Sequence, residues 1–199
     1  ASGTVIWSAS YDYAGFADVA TGIEFDLANN PVITGGSATS INAWDYATVK
    51  YNNVSGAQTA VNRVSIPGVG LDNALAFTQD NAGSLFITGY RETAGNRDIQ
   101  TIKLTSTLGL AWVKNYIGQG LEDVGTSVGG DNNGNVYITG YTRKTNGGSD
   151  FITIKYGPTG DVLWKKRYQA RNDTWTAEAY KLVVTNDGGV LVAGTVFDG

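Results

Sequence analysis

The chain has 199 residues, 42% of them hydrophobic and 16% charged, with 27 glycines against 3 prolines; this is enough apolar material for one core and fits an all-β protein whose turns use Gly, Asn and Asp. The net charge of −4 gives no basic footprint for nucleic acid, and no apolar run approaches the ~20 residues of a membrane span, so no membrane insertion is expected. Cysteine and histidine are both absent, which excludes disulfides and thiolate metal sites and removes the commonest general base and zinc ligand. Methionine is absent too, which argues against a translation start at residue 1 and predicts a processed or excised piece.

Taken in order, the elements repeat. The chain opens in a short strand, Val5 to Tyr11, that carries Trp7 and Tyr11. A new copy starts near Asp18, turns at Asp26 to Asn30 and runs through Ile33-Thr34-Gly35. After a connection from Gly36 to Trp44 comes Asp45-Tyr46-Ala47-Thr48-Val49-Lys50-Tyr51. The second copy repeats this as Asp72, a turn at Asp80 to Ser84, Ile87-Thr88-Gly89 and Asp98-Ile99-Gln100-Thr101-Ile102-Lys103-Leu104, then Trp112 and Tyr116. The third gives Asp123, Ile138-Thr139-Gly140, Asp150-Phe151-Ile152-Thr153-Ile154-Lys155-Tyr156, then Trp164 and Tyr168. A fourth begins at Ala177 and reaches Val192-Ala193-Gly194. In the first full copy Val61 and Ser65 stand at the Trp and Tyr places.

Alternating β-branched residues bounded by Gly/Asn/Asp clusters predict four strands per copy, A to D. In the third copy these are Asp123 to Gly130, Val136 to Tyr141, Phe151 to Tyr156 and Val162 to Tyr168. Four antiparallel strands recurring every ~52 residues are the signature of a β-propeller blade. Small residues at Ala20, Ala74, Gly125 and Ala179 suit an innermost strand A. The Trp of strand D suits the wide outer part, where it can cover a neighbouring sheet. The predicted organisation is one partial propeller over 1–199, with copies at 1–13 (strand D alone), 14–67, 68–118, 119–169 and 170–199 (strands A and B). That is about 3.8 repeats, short of a strand C, and points to part of a larger propeller.

The run from Asp131 through Gly140-Tyr141 and Asp150 to Gly160 and Trp164 resembles the bacterial β-propeller repeat family abbreviated SBBP. The resemblance covers nearly the whole chain and is strongest over 120–168. It implies an exported or surface-attached bacterial protein, extracellular in location, with a role in adhesion or recognition. It supplies no catalytic residues.

Several residues are candidates for function. Asp18, Asp72 and Asp123 recur at the start of strand A, and gathered at a channel mouth they could hold a hard cation such as Ca2+ through oxygen. The alternative, which is favoured and needs no cofactor, is that each hydrogen-bonds the loop leading into its own blade. The Asp26, Asp80 and Asp131 turns read as Asx-capped hairpins. Lys50, Lys103 and Lys155 lie five residues after Asp45, Asp98 and Asp150, on the opposite strand face, so pairing with an acid of the next blade is expected. The variable B–C connections carry Trp44, Arg91, Arg97, Arg143 and Lys144, a composition that suits a protein or acidic-glycan partner. The function expected is a non-enzymatic binding or scaffold module. A carbohydrate-active or quinoprotein-like enzyme, and a structural element that self-assembles through open blade edges, are the alternatives; the partners would then include further blades of the same or another chain.

Overall fold

A computed structural model describes residues 3–65, 70–119, 121–169 and 171–197. Among these residues there are fourteen strands and no helix. The first sheet is β1 (Asp18–Phe25), β2 (Pro31–Ser40), β3 (Ala43–Tyr51) and β4 (Gln58–Val64), in that order and antiparallel. The second repeats it with β5 (Asn73–Gln79), β6 (Leu85–Thr93), β7 (Asn96–Leu104) and β8 (Leu110–Tyr116). The third has β9 (Asp123–Gly130), β10 (Val136–Arg143), β11 (Ser149–Tyr156) and β12 (Val162–Tyr168). It becomes six-stranded through the hairpin β13 (Thr176–Val184) and β14 (Val190–Phe197), which joins it by one parallel bridge, Ser149 to Thr176. A like bridge, Trp44 to Leu71, ties the first sheet to the second.

The repeated glycine has a backbone cause. Gly35, Gly89, Gly140 and Gly194 pair with Ala20, Ala74, Gly125 and Ala179, and beside each pair strand A bulges by one residue. The bulge pushes a strand-A carbonyl under the glycine. A Cβ there would stand 1.9 Å from the Val19 oxygen, 2.0 Å from Asn73, 1.8 Å from Val124 and 2.2 Å from Glu178. No side chain fits, so glycine is the residue that permits the bulge. Beside it, the threonines Thr34 and Thr48, Thr88 and Thr101, and Thr139 and Thr153 face each other with hydroxyls 3.2, 3.4 and 3.1 Å apart. Each first-named hydroxyl also meets a strand-C carbonyl, which satisfies it where water is excluded.

The sheets stack face to face. Each has an upstream face, toward the preceding sheet, and a downstream face, toward the next. Val32, Tyr46 and Val64 on the downstream face of the first sheet form a core with Ala74, Leu85, Ile87, Ile102 and Leu104 on the upstream face of the second. Phe86 and Ile99 then meet Val128, Val136, Ile138, Ile152 and Ile154 of the third. The third sheet receives the hairpin in the same way: Leu182 and Val184 fill the space over Gly129, and Phe151 lies over Gly194. Burial of these alternating aliphatic faces is the main stabilising contribution.

Strands of the third copy fall where the alternation places them, with β10 and β11 reaching further into their hairpin. The Asx turns form as expected: Asp26, Asp80 and Asp131 each accept two backbone N–H bonds at 2.8–3.0 Å. Four expectations need correction. Val5 to Tyr11 forms no strand, because strand D pairs with strand C and no strand C lies beside this segment. The degenerate positions in the first sheet are Ala60 and Val64, not Val61 and Ser65. Ala60 lies opposite Lys50 as Trp112 lies opposite Lys103, and Val64 lies opposite Tyr46 as Tyr116 lies opposite Ile99. Among the described residues the lysines do not pair with acids of the next copy. Lys50 and Lys155 pair with Asp26 and Asp131 of their own sheets at 3.0 and 3.7 Å. Lys50 and Lys103 reach the next sheet through the carbonyls of Ser106 and Pro158. Finally, the B–C connections are largely hairpin strands, so Trp44, Arg91, Arg97 and Arg143 lie on β3, β6, β7 and β10. The copy boundaries at 67/68 and 169/170 fall at residues outside those described.

Candidate functional site: the hairpin end of the sheets

The candidate side chains share one end of the stack, where strand A begins and strands B and C turn. There the Asp column serves the backbone. Asp18 accepts the Tyr13 N–H at 3.1 Å and Asp123 the Gly118 N–H at 2.6 Å, both from the connection into their own sheet. Asp72 instead accepts the Glu92 N–H on β6 at 2.8 Å. Among the described residues no group of three or more acids converges as a metal site requires.

Two of these acids, Asp72 and Asp123, are costly to ionise where they lie. Burial pushes the Asp72 carboxyl up to about 6; the Glu92 N–H and Arg91 oppose it, and Asp45 adds to it. Burial raises Asp123 as well, with Asp98 of the preceding sheet contributing. Asp98 is itself raised by burial, against the charge of Arg91. Arg91 therefore serves two acids, and its Nη2 donates to Thr93 at 2.8 Å.

Arg97 and Arg143 belong to an ion ladder that climbs from sheet to sheet. Arg97 meets Glu92 at 3.5 Å and Glu122 at 2.9 Å. Glu122 passes the chain to Arg143 at 3.3 Å, and Arg143 reaches Glu178 on β13 at 3.4 Å. Each guanidinium also lies over a tyrosine that follows the repeated glycine: Arg97 over Tyr90 at 4.4 Å, Arg143 over Tyr141 at 5.4 Å. Burial, with Glu122 and Glu178, pushes the Tyr141 hydroxyl up to about 12, so it stays a neutral donor. The side chains of Arg97 and Arg143 remain 36% and 34% exposed. The result is an alternating, half-wet ridge in which each arginine lies between two carboxylates.

Lys144 is not part of the ridge. It is buried against Asp150 at 3.0 Å, with Asp173 at 3.7 Å. Asp150 is fully buried and also holds Arg167 at 2.8 Å. Arg63 does the same for Asp45 at 2.9 Å, from the same strand-D position. Trp44 stands apart as well. Its backbone bonds to Gly70 and Asp72, and its half-buried ring closes a groove with Ile41, Leu71 and Tyr90.

Five ladder members were not singled out from sequence: Glu92, Glu122, Glu178, Tyr90 and Tyr141. The tyrosines left a signal, since each directly follows the repeated glycine. The glutamates occupy different positions in their copies and become partners only once the sheets stack. No family model matches this chain, and no curated protein matches it significantly.

Proposed function

We propose that the chain is a non-enzymatic module of propeller-type blades from an exported bacterial surface protein, and that it binds a protein or an acidic glycan through the hairpin end. The observation that carries this reading is the Arg97–Glu122–Arg143 ridge over Tyr90 and Tyr141. Guanidinium groups seated on aromatic rings lose little freedom on binding, and their exposed N–H groups fit carboxylates in a bidentate manner. The blade reading is supported by the succession of like antiparallel sheets, each stacked on the one before. The resemblance to SBBP repeats supplies the exported, bacterial setting. The reading needs no cofactor.

The test is an array of acidic and neutral glycans probed with the chain and with an Arg97→Ala, Arg143→Ala double variant. Retention on carboxylated glycans that falls at least ~10-fold in the double variant is expected. Hydrolysis of a glycoside by the purified chain, or binding indifferent to both arginines, contradicts the reading.

A further inference from the structure

Between the first and second sheets the ion ladder gives way to an aromatic groove, and the repeat shows what has been exchanged. Trp44 directly precedes Asp45 on β3 as Arg97 precedes Asp98 on β7, and Leu71 precedes Asp72 as Glu122 precedes Asp123. The bridged pair Trp44 and Leu71 therefore stands where the next boundary has the ion pair Arg97 and Glu122. Gly36 lies opposite Val19 as Tyr90 lies opposite Asn73 and Tyr141 opposite Val124. At the second boundary a guanidinium of the chain itself lies over the Tyr90 ring, between Glu92 and Glu122. At the first boundary the arginine place is taken by a ring, the Trp44 indole, and the tyrosine place by a glycine.

The groove beside that indole measures about 370 Å³ and has apolar walls in Val19, Ile41 and Leu71. Gly36 makes room for it. A Cβ there would stand 3.0 Å from Trp44 Cε3 and 2.9 Å from Asn73 Oδ1, so the indole and the amide oxygen close on one point. Asp72 and Asn73 give the groove its polar wall. Asn73 Oδ1 is buried with no hydrogen-bond partner among the described residues, an acceptor that costs free energy until a donor meets it. The Asp72 carboxylate takes the Glu92 N–H on Oδ1. The acids around it outnumber the arginines that serve them. Arg63 holds Asp45 at 2.9 Å, Arg97 holds Glu92 at 3.5 Å, and Arg91 serves both Asp72 and Asp98. An indole face, aliphatic walls, an acceptor without a donor and an excess of negative charge together fit a planar cation that only donates. A guanidinium stacks on aromatic rings, carries five N–H donors and no acceptor, and trails an apolar stem that aliphatic walls can cover. An ammonium lacks the planar face, and a sugar or a phenol lacks the charge.

We propose that the Trp44 groove binds the guanidinium of an arginine side chain presented by a protein partner, stacked on the indole and donating to Asp72 and Asn73. Arginine from outside then does at the first boundary what Arg97 does at the second. This assignment rests on the reading of the hairpin end as a recognition surface, and at this groove it narrows the partner to a basic segment of protein. Neither Arg97 nor Arg143 is a contact in it.

The test is an NMR titration of the 199-residue chain with N-acetyl-arginine methylamide, followed through the Trp44 indole N–H and the Asn73 side-chain amide. N-acetyl-citrulline methylamide, of the same shape without the charge, and N-acetyl-lysine methylamide are titrated alongside. The arginine probe is expected to move both signals and to bind at least ~10-fold more tightly than either comparison compound. Trp44→Ala and Asp72→Asn are each expected to weaken it at least ~10-fold. Asp72→Asn keeps an acceptor for the Glu92 N–H and carries the test if circular dichroism shows that Trp44→Ala unfolds. An arginine probe that leaves Trp44 unmoved overturns the proposal. So does citrulline or lysine binding as tightly as arginine, or arginine binding that survives Asp72→Asn. A response at Trp44 to methyl β-glucoside or N-acetyl-tyrosine methylamide, with none to arginine, also overturns it. Retention of acidic glycans by the Arg97–Arg143 ridge is read separately on the array, so failure of one reading is distinguished from failure of the other.

Discussion

The indole N–H of Trp112 donates to the carbonyl of Pro158, 3.0 Å away across the boundary between the second and third sheets, and the ring lies where a side chain on Gly160 would stand. Trp7 lies over Gly56 in the same way. Both glycines have positive φ, at +85° and +69°. Where the first sheet meets the second, Ala60 takes the Trp place and Leu108, buried with a φ of 65°, takes the glycine place. Volume lost on one side of the boundary is restored on the other, since Ala60 packs against the cluster that contains Leu108. Ala60→Trp alone is expected to cost about 1–3 kcal/mol by overpacking. Combined with Leu108→Gly it should recover at least half of that, which a double-mutant cycle in urea measures as a favourable coupling.

The repeated glycine gives a sharper contrast. A Cβ on Gly140 meets the Val124 carbonyl at 1.8 Å, and a backbone atom inside a ladder cannot move aside. Gly147 has a φ of +94° but open space around it. Gly140→Ala is expected to cost at least ~3 kcal/mol or to prevent folding. Gly147→Ala should cost about 1 kcal/mol, from backbone strain alone. Urea unfolding of the two variants measures the difference.

The same glycine shows what was legible in the sequence. Its recurrence locates strand B, and the alternation around it places β9 to β12. The reason for the glycine was hidden, because a bulge in strand A exists only once two strands are paired. The offset at Ala60 was hidden for a similar reason. The turn before it closes Gly56 onto Asn52, four residues back, where the third sheet closes Gly160 onto Gly157, three back. That extra turn residue places Ala60 ten residues after Lys50, where Trp112 stands nine after Lys103. The Asp column was legible as a repeat; Asp18 and Asp123 hold the connection into their own sheets through Tyr13 and Gly118, whereas Asp72 departs from that reading and holds the Glu92 N–H on β6. The basic residues were visible, but their partners were not. Arg97 finds Glu122 only after two copies stack.

Burial separates the ion pairs at this end. Glu122 is half-exposed between Arg97 and Arg143. Glu122→Gln is expected to cost less than ~1 kcal/mol, and less still in high salt. Asp150 is fully buried between Lys144 and Arg167. Asp150→Asn leaves two cations without their counter-charge and is expected to cost about 3 kcal/mol with little salt dependence. Chemical denaturation at low and high ionic strength measures both.

Stability should vary with pH through Asp72. Its carboxyl holds a proton up to about 6 in the folded chain, against an ordinary value of 3.8. Between those values the folded state binds more protons than the unfolded state, so this contribution is fully present below about pH 4 and is lost as pH rises through about 6. Asp98 and Asp123 are shifted the same way. Asp72→Asn keeps an acceptor for the Glu92 N–H and removes the charge. It is expected to raise stability near pH 7 by about 2 kcal/mol and to change little near pH 4. Thermal melts at the two pH values read this directly.

The central claim is that successive sheets stack in one repeated register. The most direct measurement is the set of indole N–H signals of the five tryptophans, followed by NMR in dilute solution. The stacking predicts that the Trp112 indole proton shows a nuclear Overhauser contact to the Gly160 α protons, and Trp7 to those of Gly56. Both should exchange with water more slowly than Trp164, whose indole donates to no other described residue. Loss of these contacts, with Trp112 and Trp7 exchanging as fast as Trp164, would contradict the stacking.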